Sequence, residues 1–306
     1  MSRSSRIAVA PADVDHLLAA VREGGGETAS IDEADALVWT DTDDPVGLAE
    51  VLDARSNLGW VQLPWAGVEP YIDVVRQHPE RVWTCGKGVY AEPVAEHALA
   101  LALAGRRRLD RYSRERTWTK QRGENLLGAK VTIVGGGGIA ESLLRLLGPF
   151  GCDVTVVRAT PQPMSGARRV VAAERLEEAL DGAGVVVVAL PLLAETKGLM
   201  DRRRLSLMGP DAVLVNVARG PHVVTDDLVA ALDDGALGAA GLDVTDPEPL
   251  PDGHPLWDRP NVIITPHTAN TAEMARPLLA RRVAENVRRF RTGQPLLGPV
   301  DLAKGY

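Results

Sequence analysis

Short runs of β-branched and aliphatic residues alternate along the chain with stretches whose apolar positions recur on a helical period. In the first third, Arg6–Ala10 and residues 36–40, 59–63 and 81–85 read as strands. Residues 13–23, with Asp13 as the expected N-cap, 45–55 and 69–77 read as the helices between them. A long helical pattern, AEPVAEHALALALAGRRR at 91–108, runs into a basic segment, 106–116, with Trp118 just beyond. Those arginines read as a solvated helix end or a subunit contact rather than a phosphate site.

A second series begins at Lys130. Strands are predicted over Lys130–Val134, Asp153–Val157, 185–190, 212–217, 237–242 and 262–265, and helices over 139–147, 173–180, Arg202–Met208 and 226–232. Strand–helix alternation predicts parallel sheets covered on both faces. About six strands wound in this way are expected of a dinucleotide-binding domain. The last helix, 271–291, and the tail QPLLGPVDLAKGY are expected to pack on the first domain, making it discontinuous.

Composition narrows the function classes. The 306 residues are 45% hydrophobic and 25% charged, as in a globular protein of two ordinary domains. Lys and Arg total 34 against 41 Asp and Glu, a net charge of -7, which argues against nucleic acid or an anionic membrane as the main partner. A small anion stays open, because one arginine can hold a carboxylate whatever the global sign. The two cysteines, Cys85 and Cys152, form no CxxC, so neither a disulfide framework nor a thiolate metal site is expected. The first residues, MSRSSRIAVAP, lack the apolar core of a secretory signal, and the apolar run 183–194 is broken by Gly184 and Pro191. A cytoplasmic protein without a bound metal is expected.

The segment KVTIVGGGGIAESLL places Gly135-x-Gly137-x-x-Ala140 between a strand and a helix. Glycine there permits the tight turn and close approach of a pyrophosphate, and the N–H groups opening the helix receive its charge. Gly135, Gly137, Gly138 and Ile139 are therefore candidate cofactor contacts. The next strand leads to Arg158, where an acid that holds the adenosine 2′-hydroxyl is usual. A carboxylate repels a 2′-phosphate and a guanidinium pairs with it, so NADP(H) is preferred, with NAD(H) as the alternative and Thr160 as a second phosphate contact. The bland alternative is an arginine pointing to solvent.

Two further residues stand at predicted strand ends, where open α/β sheets place their ligands: Arg219 after AVLVNVARG and His267 in ITPHTAN. Carbonyl reduction by a nicotinamide needs a proton donor for the oxygen and a cation to orient the substrate. His267 and Arg219 are candidates for these parts, with a structural histidine and a salt-bridged loop arginine as alternatives. Glu248, in DVTDPEPLP, is a carboxylate that can bond one imidazole nitrogen, fix the tautomer and favour the protonated ring.

Taken together, LPLLAETKGLM, VNVARG, GLDVTDPEPLPDGHPLW and ITPHTAN follow the order seen in the D-isomer-specific 2-hydroxyacid dehydrogenases, and VQLPWAGVE and GVYAEPVAEHALAL extend the likeness into the first half. The chain resembles that family, and its glyoxylate/hydroxypyruvate reductases, over most of its length. The resemblance implies an α/β fold with a Rossmann dinucleotide-binding domain, 96–274, and a discontinuous flavodoxin-like substrate domain, 1–95 and 275–306. It implies a catalytic set of Arg219, Glu248 and His267 that moves a hydride between a nicotinamide and a small 2-oxo or D-2-hydroxy acid. It further implies that the amides of Ala66 and Gly67 hold the substrate carboxylate. Leu190, Pro191, Thr196, Val217 and Ala218 would line the cofactor groove, Asp243 would bond the nicotinamide carboxamide, and the chain would form a homodimer. For Asp243 a turn residue is the alternative.

The sequence also departs from the family pattern. Arg158 replaces the usual acid, Ala140 is a mild change, and Trp65 beside the presumed carboxylate loop either shapes the pocket or packs in the core. The short stretch after the last helix predicts no regulatory domain. Two other functions stay in view: a corepressor-like dinucleotide sensor on the same scaffold, and a formate- or phosphite-type dehydrogenase. Among the remaining histidines, His97 beside Glu96 imitates a general base, but adjacent helical residues do not face each other. His222 and His254 read as local caps or turn residues, and His16 and His78 as surface positions.

Overall fold

The computed structural model describes residues 5–302. Residues 1–4, part of the segment read for a signal, and 303–306, the end of the tail, lie outside the described residues. The chain divides into two compact units, one holding the described residues up to Tyr90 together with those from Thr271 onward, the other Ala91–Asn270.

The first unit begins with β1 (Arg6–Ala10), α1 (Asp15–Glu23), β2 (Glu27–Thr28), β3 (Ala36–Trp39), α2 (Pro45–Ala54), β4 (Trp60–Gln62), α3 (Ile72–Gln77) and β5 (Val82–Thr84). Its five strands are all parallel, in the order β2-β1-β3-β4-β5. That is the flavodoxin-like order. Asp44 caps α2 by accepting the Gly47 N–H at 2.8 Å, with Pro45 opening the helix. Asp13 does not cap α1. That helix starts two residues later behind Val14, without a side-chain cap, and is held by burial of Leu17, Ala20 and Val21. The two-residue β2 carries no apolar pattern, which is why periodicity missed it.

The second unit contains α4 (Ala91–Arg106), α5 (Leu109–Tyr112), β6 (Lys130–Val134), α6 (Gly138–Leu147), β7 (Asp153–Val157), β8 (Arg169–Val171), α7 (Leu176–Leu180), β9 (Val185–Val188), α8 (Arg202–Met208), β10 (Val213–Asn216), α9 (Thr225–Asp233), β11 (Ala239–Leu242) and β12 (Val262–Ile264). Its sheet has seven strands rather than six, in the order β12-β11-β10-β9-β6-β7-β8. This is the doubly wound dinucleotide order with one strand added, and it reverses direction between β6 and β9. The strand that the sequence pattern does not predict, β8, is a short edge strand exposed at Arg169 and buried only at Val171.

Because helices cover both faces, the central strands are mostly apolar on both sides, with Thr132 and Asn216 as buried polar exceptions. Val185 and Val187 pack with Leu101, Leu143 and Leu144 on one face, while Val186 and Val188 pack with Leu180, Leu205 and Leu228 on the other. Helix α4 lies directly on the sheet. A Cβ added at Gly241 of β11 would come within 2.8 Å of the Leu101 Cβ, and one added at Gly105 within 2.6 Å of Val213 Cγ1 in β10. The helix stops at Arg106, short of the predicted end, as Arg108 takes a left-handed φ of 55°.

The chain returns to the first unit through α10 (Ala272–Thr292), which packs Leu279, Val283 and Val287 against Ile7, Val21 and Trp60. No helix among the described residues is long and apolar enough to cross a membrane. The close approach of α4 has a measurable consequence. Gly105→Leu is expected to lower the unfolding free energy by about 1–3 kcal/mol through overpacking against Val213; a denaturant midpoint equal to wild type would refute this.

Candidate functional site

Hydrogen bonding continues past the strand ends of the second sheet and holds the adjoining loops. Gly135 N–H donates to Val157 O at 2.8 Å, Ala189 N–H to Val134 O at 2.8 Å, Asp243 N–H to Asn216 O at 3.0 Å and Thr265 N–H to Leu242 O at 2.9 Å. The phosphate turn, Arg219, Asp243 and His267 therefore all leave the carboxyl edge of one parallel sheet.

At the phosphate turn, Gly135 has φ of +120°, and a Cβ there would lie 2.1 Å from Ala189 O, so no other residue fits. Gly137 caps α6, and a Cβ on it would meet nothing within 4 Å, so the start of the helix faces open space. Gly136 lies under Arg158: a Cβ there would approach its Cδ to 2.7 Å and its Nε to 2.8 Å. The turn thus has a bare backbone, a helix N-terminus and an adjacent guanidinium, a set that fits a phosphorylated dinucleotide. Thr160 is exposed two residues further on.

Arg219 sits on a turn fixed from three sides. Buried Asn216 donates its amide to Arg219 O at 2.9 Å and accepts Ala218 N–H at 3.1 Å. Gly220 abuts the neighbouring loop so closely that a Cβ would fall 1.8 Å from Thr245 O. His222, fully buried, places Nδ1 3.0 Å from Arg219 O and Nε2 3.2 Å from Pro191 O. His222 is thus more than a local turn residue, since its ring spans two loops. The guanidinium of Arg219 donates to Ala218 O at 2.7 Å. Thr196 closes the Pro191 loop, accepting Leu193 N–H at 2.8 Å and donating to Pro191 O at 3.1 Å. Val217 and Ala218 are buried, and Leu190 is half-buried.

His267 and Glu248, nineteen residues apart, meet through Nδ1 and Oε1 at 2.7 Å, with side chains 53% and 42% exposed. His267 has φ of +53°, the left-handed region that a non-glycine residue occupies only when its surroundings impose it. Its N–H donates to Asp243 O at 2.8 Å and Thr265 O at 2.9 Å. Asp243, 2% exposed, fastens the rest of the turn. Its Oδ1 accepts the Thr265 hydroxyl at 2.6 Å and Thr268 N–H at 2.8 Å, and its Oδ2 accepts Ala269 N–H at 3.0 Å. His97 also reaches this turn, with Nε2 2.9 Å from Thr265 Oγ1 and 3.4 Å from Asp243 Oδ1, instead of pairing with Glu96.

In the first unit, Trp65, Ala66 and Gly67 form the loop after β4, where the Trp65 ring lies 5.5 Å from that of Tyr90. His78 is buried rather than on the surface, beside Asp53 at 3.5 Å and Glu80 at 3.8 Å. His254 accepts Leu256 N–H at 3.2 Å as a local cap. Burial pushes the thiols of Cys85 and Cys152 up, away from thiolate reactivity.

Residues 97–269 match the family described as D-isomer specific 2-hydroxyacid dehydrogenase, NAD binding domain. An uncharacterized protein from the proB 3' region of Corynebacterium melassecola is 37% identical, over 94% of this chain and 95% of that protein. Glyoxylate/hydroxypyruvate reductase A of Serratia proteamaculans is 33% identical, over 89% of this chain and 87% of that protein. The crystal structure of a D-isomer specific 2-hydroxyacid dehydrogenase from Xanthobacter autotrophicus Py2, in complex with NADPH and MES, is similar with a TM-score of 0.85 at 29% identity, covering 99% of this chain and 100% of that one.

The Asp243 knot predicts a local effect. Asp243→Ala should speed amide hydrogen exchange at Thr268 and Ala269, by roughly tenfold or more if each lost charge-assisted bond contributes about 1.5–3 kcal/mol. Unchanged protection at both amides would show that the turn is held by something else.

Proposed function

The chain belongs to the D-isomer specific 2-hydroxyacid dehydrogenase family, and on that premise we propose that it is an NADPH-preferring reductase of small 2-oxo acids of the glyoxylate and hydroxypyruvate kind. The observation that carries this reading is the 2.7 Å bond between His267 and Glu248 at the sheet edge that also bears Arg219. The reductase name of the Serratia proteamaculans relative and the NADPH in the Xanthobacter autotrophicus structure support it.

Gly135, Gly137, Gly138 and Ile139 would hold the pyrophosphate, Arg158 and Thr160 the 2′-phosphate, and Asp243 the carboxamide. Leu190, Pro191, Thr196, Val217 and Ala218 would line the groove. When bound, the nicotinamide supplies the hydride. The protein residues supply binding, orientation and the proton. Arg219 pairs with the substrate carboxylate and polarises the carbonyl. Glu248 accepts from Nδ1–H, so Nε2 is the nitrogen of His267 that gives a proton to the carbonyl oxygen in reduction and takes one from the hydroxyl in oxidation. We place the protein in the cytoplasm as a homodimer. The free thiols support the compartment, and the basic segment after α4, with Trp118 96% exposed, supports the subunit contact.

A panel of 2-oxo acids followed by absorbance with NADPH and NADH tests the proposal. Turnover of at least one acid is expected, faster with NADPH; cofactor binding without turnover of any acid would favour the sensor. His267→Ala should lower kcat about 10²–10⁴-fold, and Arg219→Ala should damage both kcat and KM for the acid. Arg158→Asp should cut the NADPH-over-NADH preference by about tenfold or more, and an unchanged ratio would remove Arg158 from the 2′-phosphate site.

A further inference from the structure

The face of α4 that lies on the sheet carries His97, Leu101 and Gly105, spaced four residues apart and so stacked on one side of the helix. Gly105 meets Val213 of β10, Leu101 meets Gly241 of β11, and His97 reaches Thr265 just beyond β12. The helix therefore delivers an imidazole to the carboxyl edge of the sheet as a consequence of how it packs.

Donor counting fixes the direction of the resulting chain. Thr265 has one hydroxyl proton, and at 2.6 Å from Asp243 Oδ1 that proton is given to the carboxylate, which only accepts. Thr265 Oγ1 must then accept from His97, so His97 carries its proton on Nε2, 2.9 Å away. The relay runs from His97 N–H to Thr265 O–H to Asp243, and Asp243 holds the amides of Thr268 and Ala269, directly after His267. On the other side, His267 N–H is held by the carbonyls of Asp243 and Thr265. The left-handed backbone of His267 thus depends on groups that His97 and Thr265 keep in place.

From this geometry we propose that His97 and Thr265 are positioning residues that set the orientation of His267 through the Asp243 carboxylate. The inference rests on the reading of His267 as the proton donor. His97→Leu, Thr265→Val and the double variant test it. Each single change is expected to lower kcat roughly ten- to a hundredfold through misplacement of the imidazole. The double variant should be no worse than the more damaging single, because both changes cut the same chain. Amide exchange at Thr268 and Ala269 in the cofactor-free protein should rise in all three. His97→Gln, which keeps an N–H donor at similar reach, should restore most of the turnover and the protection.

Losses that multiply in the double variant, or a His97→Leu protein with lowered thermal stability but wild-type exchange at both amides, would overturn the proposal. His267→Ala is run alongside. If it turns over like wild type, the reading of His267 fails, while amide exchange still reports on the link from His97.

Discussion

One buried carboxylate organises the turns at the carboxyl edge of the second unit's sheet. Asp243 lies at 2% exposure, and an ionised group so far from water is tolerated only when donors surround it. It has the Thr265 hydroxyl, two consecutive amides and the nearby His97 ring. Meeting that demand closes the turn from 265 to 269 around a single conformation. His267 projects from this turn. Its unfavourable φ follows from the closure, since relaxing it would pull amides away from the charge.

The sheet explains why the donors arrive there. Parallel strands in register bring the ends of β10, β11 and β12 side by side, so Asn216, Leu242 and Ile264 stand in one row. The residues that follow them diverge into the Arg219 turn, the Asp243 and Glu248 loop, and the His267 turn. Gly220 allows the first to touch the backbone of the second, and Gly241 allows α4 to settle on β11. Small residues at these two positions translate sheet register into the placement of functional side chains.

Much of this was legible in the sequence because the relevant signals are local or strongly periodic. Most strands of the second unit are rich in apolar, β-branched residues, the phosphate turn is a glycine pattern between a strand and a helix, and Arg219 and His267 stand at strand ends. The flavodoxin-like and Rossmann readings hold in the two strand orders. What escaped depended on tertiary contacts. Sequence adjacency sets His97 beside Glu96, whereas its partner Thr265 is 168 residues away. Its place four residues before Leu101 on the packed face was the available clue. His222 bridges to Pro191 across 31 residues, and His78 is covered by structure that no local pattern announces. β8 is too short and too polar at its start to register as a strand.

The contrast between Asp243 and the His267–Glu248 pair shows how the site divides its work. With side chains about half exposed, the pair is bathed in water, and a contact so exposed contributes only about 0–1 kcal/mol. It is too weak to hold the imidazole in place by itself. Water access is nonetheless what the proposed proton donor needs, because on that reading the ring is reprotonated after each turnover. A buried pair would hold its geometry better and exchange its proton less readily. The structure separates the two requirements. Orientation is imposed on the backbone by a desolvated carboxylate, while the imidazole stays at the surface with Glu248 bonded to its Nδ1. The closure of the turn and the contact to the imidazole thereby rest on different carboxylates, Asp243 and Glu248, five residues apart in one loop.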